Sequence, residues 1–307
     1  MAHSNTTLFE DSAETLETGI LPSQTIRAFI ANGKIISPVA IAEKQIQPAS
    51  IDLRLGGKAY EVRASFLPGR QLPTRKKIED LLIREVDLDP SAVLPRGSVF
   101  IVPLIESLDL PSRVSAKANP KSTTGRLDIF TRLITEGGRE FENVRAGYSG
   151  DLYLEVVSRT FPIVVRKGMS LNQLRFIRGN PPATDGRLSR LAERQPLAYE
   201  DDANQIDPVI DRGLGVTVDL QGIGSSPIIA YRAKHNAPPV DLANVNFYDV
   251  EDFWEVIRSP GRKGMILGPG DFYIHHHAGV LRTCGIASKL IYAGWCHVRV
   301  ATRHRRR

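Results

Sequence analysis

Between Ser23 and Gly33 the apolar positions Ile26, Phe29 and Ile30 recur at helical spacing, which predicts a short amphipathic helix with Ser23 as N-cap and Gly33 as its stop. After that helix the period changes. Ser50-Ile-Asp-Leu-Arg-Leu55 alternates, Ser98–Leu104 is almost continuously apolar, and Leu152–Val157, Phe161–Val165 and Leu171–Phe176 follow one another closely. Turn signals stand at Pro68-Gly69, Pro95-Arg-Gly97 and Arg166-Lys-Gly168. Strands spaced in this way predict a mainly β chain folded as an antiparallel barrel or sandwich. With no alternation of strands and helices, a Rossmann sheet is not expected.

The pattern also divides the chain. Residues 1–20 read as a loose polar leader, 21–178 as the main domain, and 179–212, rich in Pro, Asp, Arg and Gly, as a connector with a short helix over Leu188–Leu197. The sequence then starts again. Val218-Asp-Leu220 echoes Ile51-Asp-Leu53, and Leu267-Gly-Pro-Gly-Asp-Phe-Tyr-Ile274 echoes Leu94-Pro-Arg-Gly-Ser-Val-Phe-Ile101, so 213–274 is expected to be a partial second copy with a strand at Phe272–Ile274.

The stretch 275–307 departs from this order. It holds five of the seven His residues, both Cys and seven Lys or Arg, but no acid, and is read as an atypical, poorly ordered basic tail. The whole chain carries +6, so without the tail's seven positive charges the first 274 residues stand at −1. A specific nucleic-acid partner is therefore not expected. An alternative reading of the tail is a metal site built from His275, His276, His277, Cys284, Cys296 and His297. Adjacent residues of an extended chain alternate faces, so only two of the three consecutive His could share an ion. No apolar run is long enough for a membrane span, no signal peptide is read at the N-terminus, and two Cys cannot form a disulfide framework. The expectation is a cytoplasmic protein.

Candidate chemistry lies in two places. The turn Pro120-Lys-Ser-Thr-Thr-Gly-Arg126 offers a cation at Lys121, hydroxyls at Ser122, Thr123 and Thr124, close backbone approach at Gly125 and a planar fork at Arg126, a set suited to phosphate oxygens. Glu155, in Asp151-Leu-Tyr-Leu-Glu-Val-Val157, is a carboxylate on a strand. Asp52 reads as structural, tying a strand end to a backbone N–H. No Walker pattern accompanies the turn, so alone it is a weak signal.

Taken in order, the blocks say more. The helix ending at Gly33, Gln47-Pro-Ala-Ser-Ile-Asp-Leu-Arg-Leu-Gly56, the Lys121–Arg126 turn, Tyr148-Ser-Gly-Asp-Leu-Tyr-Leu-Glu155 and Arg166-Lys-Gly-Met-Ser-Leu-Asn-Gln-Leu-Arg-Phe176 together resemble the deoxycytidine triphosphate deaminases of the trimeric dUTPase superfamily. The tandem arrangement is similar to a long bacterial form of this deaminase. The resemblance implies a dUTPase-like β-clip, or distorted jelly roll, and homo-oligomers with sites between subunits. It also implies hydrolytic conversion of dCTP to dUTP without zinc, with magnesium carried on the triphosphate.

On that resemblance Glu155 is the catalytic glutamate, organised by Ser122 and Arg126, while Lys121, Ser122, Thr123, Arg126 and Gln173 meet the substrate. The chain departs from the family in three ways. Its turn reads Pro120-Lys-Ser-Thr rather than Gly-Arg-Ser-Ser, Arg145-Ala-Gly147 replaces Asp-Pro-Gly, and Gly137-Gly-Arg-Glu-Phe-Glu-Asn143 lengthens a loop that normally covers the base. Alternative functions are a dUTP diphosphohydrolase, a bifunctional enzyme, and a non-catalytic nucleotide-binding protein.

Overall fold

The computed structural model describes residues 18–70, 72–180, 185–199, 204–211, 213–215, 217–218, 220–222, 226–261, 264–278, 280–281 and 295–299. Helix α1 (Ser23–Ala31) buries Ile26 and Phe29, the face its periodicity predicts. Its N-cap is Pro22 in extended conformation, with no side-chain cap, so Ser23 is the first helical residue instead. Proline presets the chain's entry without needing an acceptor. At the other end Gly33 adopts φ +65°, with its N–H on Ile30 O at 3.2 Å and the Lys34 N–H on Phe29 O at 2.7 Å. This paired-bond ending needs a left-handed residue, which glycine supplies.

Among the strands of the main domain, eight position the site: β1 (Ser50–Leu53), β2 (Lys58–Val62), β3 (Val99–Asp109), β4 (Val114–Pro120), β5 (Ile129–Thr135), β6 (Ser149–Ser158), β7 (Ile163–Val165) and β8 (Asn172–Arg178). One sheet carries β4, β8 and β1 side by side, and a second runs β5, β6, β3, β2, both antiparallel. Neither closes into a barrel. Ile51, Leu53, Leu174 and Phe176 of the first sheet pack with Leu108, Leu133 and Leu152 of the second and with α1.

The second sheet is buried on both faces. Phe100, Val102, Leu154 and Val156 point one way, into a cluster with Ile163 and Val165. Ile101, Ile134 and Tyr153 point the other way, against Ile78 of α2 (Thr74–Leu81), Phe66 and Phe141. The sequence pattern does not reveal α2, because only Thr74 and Ile78 of that helix are buried. Between β4 and β5 the phosphate-type turn becomes a short helix, α3 (Ser122–Arg126).

In the connector, helix α4 spans Asp185–Arg194, earlier than the expected Leu188–Leu197. Pro196 disfavours helical backbone at the residue before it, so the helix stops short. Beyond it, β9 (Ile228–Ala233) lies between β11 (Trp254–Arg258) and β12 (Phe272–Ala278) in an antiparallel sheet, with β10 (Val240–Asp241) and α5 (Val250–Phe253) in the connections. β12 contains the strand expected at Phe272–Ile274. The expectations for the tail fall largely outside the described residues; Trp295–Arg299 pairs with β12.

The two halves share a ladder and a core. β7 pairs in parallel with β10, Ile163 opposite Val240. Phe161, fully buried, meets the rings of Phe253 and Trp254 edge-on at 5.6 and 5.4 Å. Among the described residues no helix is long and apolar enough to cross a membrane.

Candidate active site

Glu155 lies on the face of β6 that carries Tyr153, opposite Arg132 on β5 and Ile101 on β3. It is fully buried. Oε1 accepts from Arg132 Nε at 2.8 Å, and Oε2 is buried without a partner. Arg132 in turn donates to Ser65 Oγ at 2.6 Å and stacks on Phe141, its guanidinium carbon 3.7 Å from the ring centroid. A charge taken out of water needs such a partner. An orphan carboxylate oxygen beside it is the kind of feature that marks a reactive group or an absent ligand. Sequence reasoning singled out Glu155 and missed Arg132; the available signal was a lone cation between Phe130 and Ile134 on an apolar strand.

The residues expected to meet the substrate lie on and beside the other sheet. Lys121 precedes α3 in extended conformation, and its ammonium pairs with the buried carboxylate of Asp52. Asp52 therefore serves Lys121 rather than a backbone N–H, the role first expected. Gln173 on β8 sits in register between Asp52 on β1 and Asn119 on β4, and its Oε1 accepts from Ser50 Oγ at 3.0 Å. Ser122 and Thr123 are exposed and Thr124 is buried. Lys121, Thr123 and Thr124 line a cavity of ≈ 360 Å³ whose far side is formed by residues 240–245. Ser122 and Arg126, at the two ends of α3, stand outside that lining.

These two groups do not converge within one chain. Leu127, directly after α3, packs in the cluster with Leu154 and Val156, whose side chains alternate with Glu155 and leave β6 on the opposite face. Neither Glu155 nor Arg132 lines the Lys121 cavity. The structure thus brings Lys121 and Gln173 together around Asp52, and keeps Glu155 apart from them.

The 137–143 loop reaches Glu155 through Arg132. Phe141 caps the Arg132 guanidinium, and Glu142, at φ +68°, joins β5 and β4: it accepts from the Leu133 N–H at 3.2 Å, and its own carbonyl takes the Ala118 N–H at 2.8 Å. Burial raises the Glu142 carboxyl to about 7, and its Oε2 lacks a partner. Arg145 lines a separate cavity of ≈ 440 Å³ with Arg70, Lys117, Arg139 and Glu136. Among the described residues no three His, Cys, Asp or Glu side chains cluster as metal ligands. Of the tail's ligand candidates only His275 has a described side chain; it is buried beside Tyr273, and desolvation lowers its pKa.

Comparison with known proteins finds the same family in both halves. Residues 17–180 match the family profile described as the 2'-deoxycytidine 5'-triphosphate deaminase N-terminal domain, and 184–284 match the corresponding C-terminal domain. A protein of Dictyoglomus thermophilum named "dCTP deaminase, dUMP-forming" is 30% identical over 169 residues, 53% of this chain and 82% of the relative. One of Natronomonas pharaonis named "dCTP deaminase" is 30% identical over 168 residues, 53% of this chain and 83% of the relative. The crystal structure of 2'-deoxycytidine 5'-triphosphate deaminase from Agrobacterium tumefaciens superposes with a TM-score of 0.80 at 46% identity, covering 86% of this chain and 78% of that one.

Proposed function

The chain belongs to the 2'-deoxycytidine 5'-triphosphate deaminase family, and from that premise we propose that it hydrolyses the exocyclic C4–N bond of dCTP, releasing ammonia and dUTP. The observation that carries this reading is the succession of the family's N- and C-terminal domains along one chain. In the proposed reaction Glu155 takes a proton from water as its oxygen adds to C4. The same carboxyl returns that proton to the pyrimidine N3, then carries the remaining hydroxyl proton to the amino group, which leaves as ammonia as C4=O forms, so one group serves as base and acid in turn. The partnerless Oε2 supports that role, because no protein donor occupies it.

Ser122 and Arg126 are assigned to the reacting end, and Lys121, Ser122, Thr123, Arg126 and Gln173 to substrate binding, with magnesium carried on the triphosphate and no zinc. The opposite-face placement of Glu155 and α3 supports a site shared between copies, in which one subunit presents Glu155 and its neighbour the α3 turn. The working form is then a homo-oligomer, and its place is the cytoplasm.

A second reading adds hydrolysis of the triphosphate to give dUMP, and it is favoured by relatives named dUMP-forming. One experiment separates the readings. The purified full chain is incubated with magnesium and dCTP, then separately dUTP, and ammonia, dUTP, dUMP and pyrophosphate are resolved. Ammonia with dUTP supports the first reading, and dUMP with pyrophosphate the second. A folded sample that binds nucleotide but yields no product from either would leave a nucleotide-binding protein.

A further inference from the structure

The cavity beside Lys121 and Thr123 belongs to two domains. Its floor is Leu127, Ile129 and Met169 of the first domain, and its opposite wall is the second-domain stretch 240–245, which brings the exposed carboxamide of Asn244 to the rim. At ≈ 360 Å³, with an apolar floor and few polar groups, it has the size and composition of a small-molecule site.

The ladder with β7 carries the start of that wall, and one carboxylate fixes the turn that follows. Asp241 binds Arg166 through both of its oxygens, Nη2 to Oδ2 at 2.7 Å, in the bidentate geometry available to arginine but not lysine. The same Oδ1 accepts from the Ala243 N–H at 3.0 Å, and the Asp241 carbonyl takes the Asn244 N–H at 3.1 Å. These bonds fold 241–244 into a side-chain-stabilised turn that sets where Asn244 stands. The Asp241 N–H donates to Tyr248 Oη at 2.8 Å, which anchors the segment from its far side.

Arg166 is equally well placed. It opens the Arg166-Lys-Gly168 turn that leads into Met169, Ser170 and Leu171 on the cavity floor, and the Leu171 carbonyl accepts from the Lys121 N–H at 3.0 Å. The Arg166–Asp241 pair therefore adds to the β7–β10 ladder in tying the wall to the floor and, through Leu171, to Lys121.

We propose that the second domain completes the nucleotide site, with Asn244 donating a hydrogen bond to a phosphate oxygen of the deoxynucleoside triphosphate, and with Arg166 and Asp241 as positioning residues that latch the wall. The inference rests on the dCTP reading above and adds to it a specific task for the second domain. Arg166 and Asp241 touch no reacting atom, so their loss acts on substrate capture.

The test is steady-state kinetics of dCTP turnover by the full chain and by Asn244→Ala, Asp241→Asn, Arg166→Met and the Arg166→Met/Asp241→Asn double variant, with thermal melting as a fold control. Expected is a rise in KM of about tenfold for each single variant with kcat within about threefold, and a double variant no worse than either latch single. If Asp241→Asn fails to fold, Asn244→Ala decides the question alone, since it removes an exposed amide. Wild-type KM in Asn244→Ala overturns the phosphate contact, and additive KM effects of the latch variants overturn the latch. Failure of the dCTP reading looks different: the unaltered chain would neither bind nor consume dCTP, whatever the variants do.

Discussion

Arg132 faces Glu155 across neighbouring strands, with Nε 2.8 Å from Oε1, and this one contact neutralises the buried carboxylate while leaving its second oxygen without a partner. Phe141 and Ser65 hold the guanidinium from two other sides. Phe141, from the 136–142 loop, thus lies over the cation that pairs with Glu155.

Replacing Glu155 by Gln keeps the shape and removes the proton acceptor. Deamination is expected to fall by about 10²-fold or more, while dCTP affinity stays within about threefold. Single-turnover ammonia release alongside equilibrium binding checks this, and parallel loss of both would make Glu155 a structural residue.

Truncating Arg132 to Ala strands a fully buried carboxylate. The variant is expected to lose about 1–3 kcal/mol of stability, and Arg132→Ala/Glu155→Gln to recover part of it, because a neutral amide needs no counter-charge. Denaturant melts of the two singles and the double give the coupling; a double variant as unstable as the sum of the singles would mean the pair is not coupled.

Glu142 makes the 137–143 loop sensitive to pH. Its carboxyl is raised by burial from 4.5 to about 7 and so keeps its proton in the fold where an unfolded chain loses it. That contribution is complete below pH 4.5 and disappears as pH climbs to about 7. Hydrogen-exchange protection of the Leu133 amide should decline over that window, and Glu142→Gln should flatten the profile. An unchanged slope in the variant assigns the effect to another group.

Much of the first domain could be read from period alone. Alternation placed β1 and β6, and the three glycines at 97, 168 and 33 each adopt the positive φ their turns required. What escaped was whatever pattern does not encode. α2 buries too few residues to show a stripe, and Arg132 becomes meaningful only once strand register sets it against Glu155. For the same reason Asp52 was assigned to the backbone, since its partner Lys121 is 69 residues away. The separation of Glu155 from α3 was invisible for a simpler cause. A strand residue and a turn elsewhere in the chain give no hint of which side of the sheet each uses until the sheet's two cores are known.

Phe161 supplies a test of the join between domains. It is fully buried and touches Phe253 and Trp254 across the boundary. Phe161→Ala is expected to cost about 3–5 kcal/mol and to lower the unfolding transition of both domains together. Tryptophan fluorescence of Trp254, followed against circular dichroism of the whole chain, would show two separate transitions if the join contributes nothing.

The parallel pairing of Ile163 with Val240 places the spatial border of the domains elsewhere than the sequence border near residue 180. A gene fragment ending there would encode a recognisable family domain with one strand edge left open and an aromatic side chain lacking its cover. Exchange of C-terminal halves between homologues is constrained likewise: a transplanted half must bring a strand that fits β7 and rings that fit Phe161. For this chain the unit of engineering is the pair.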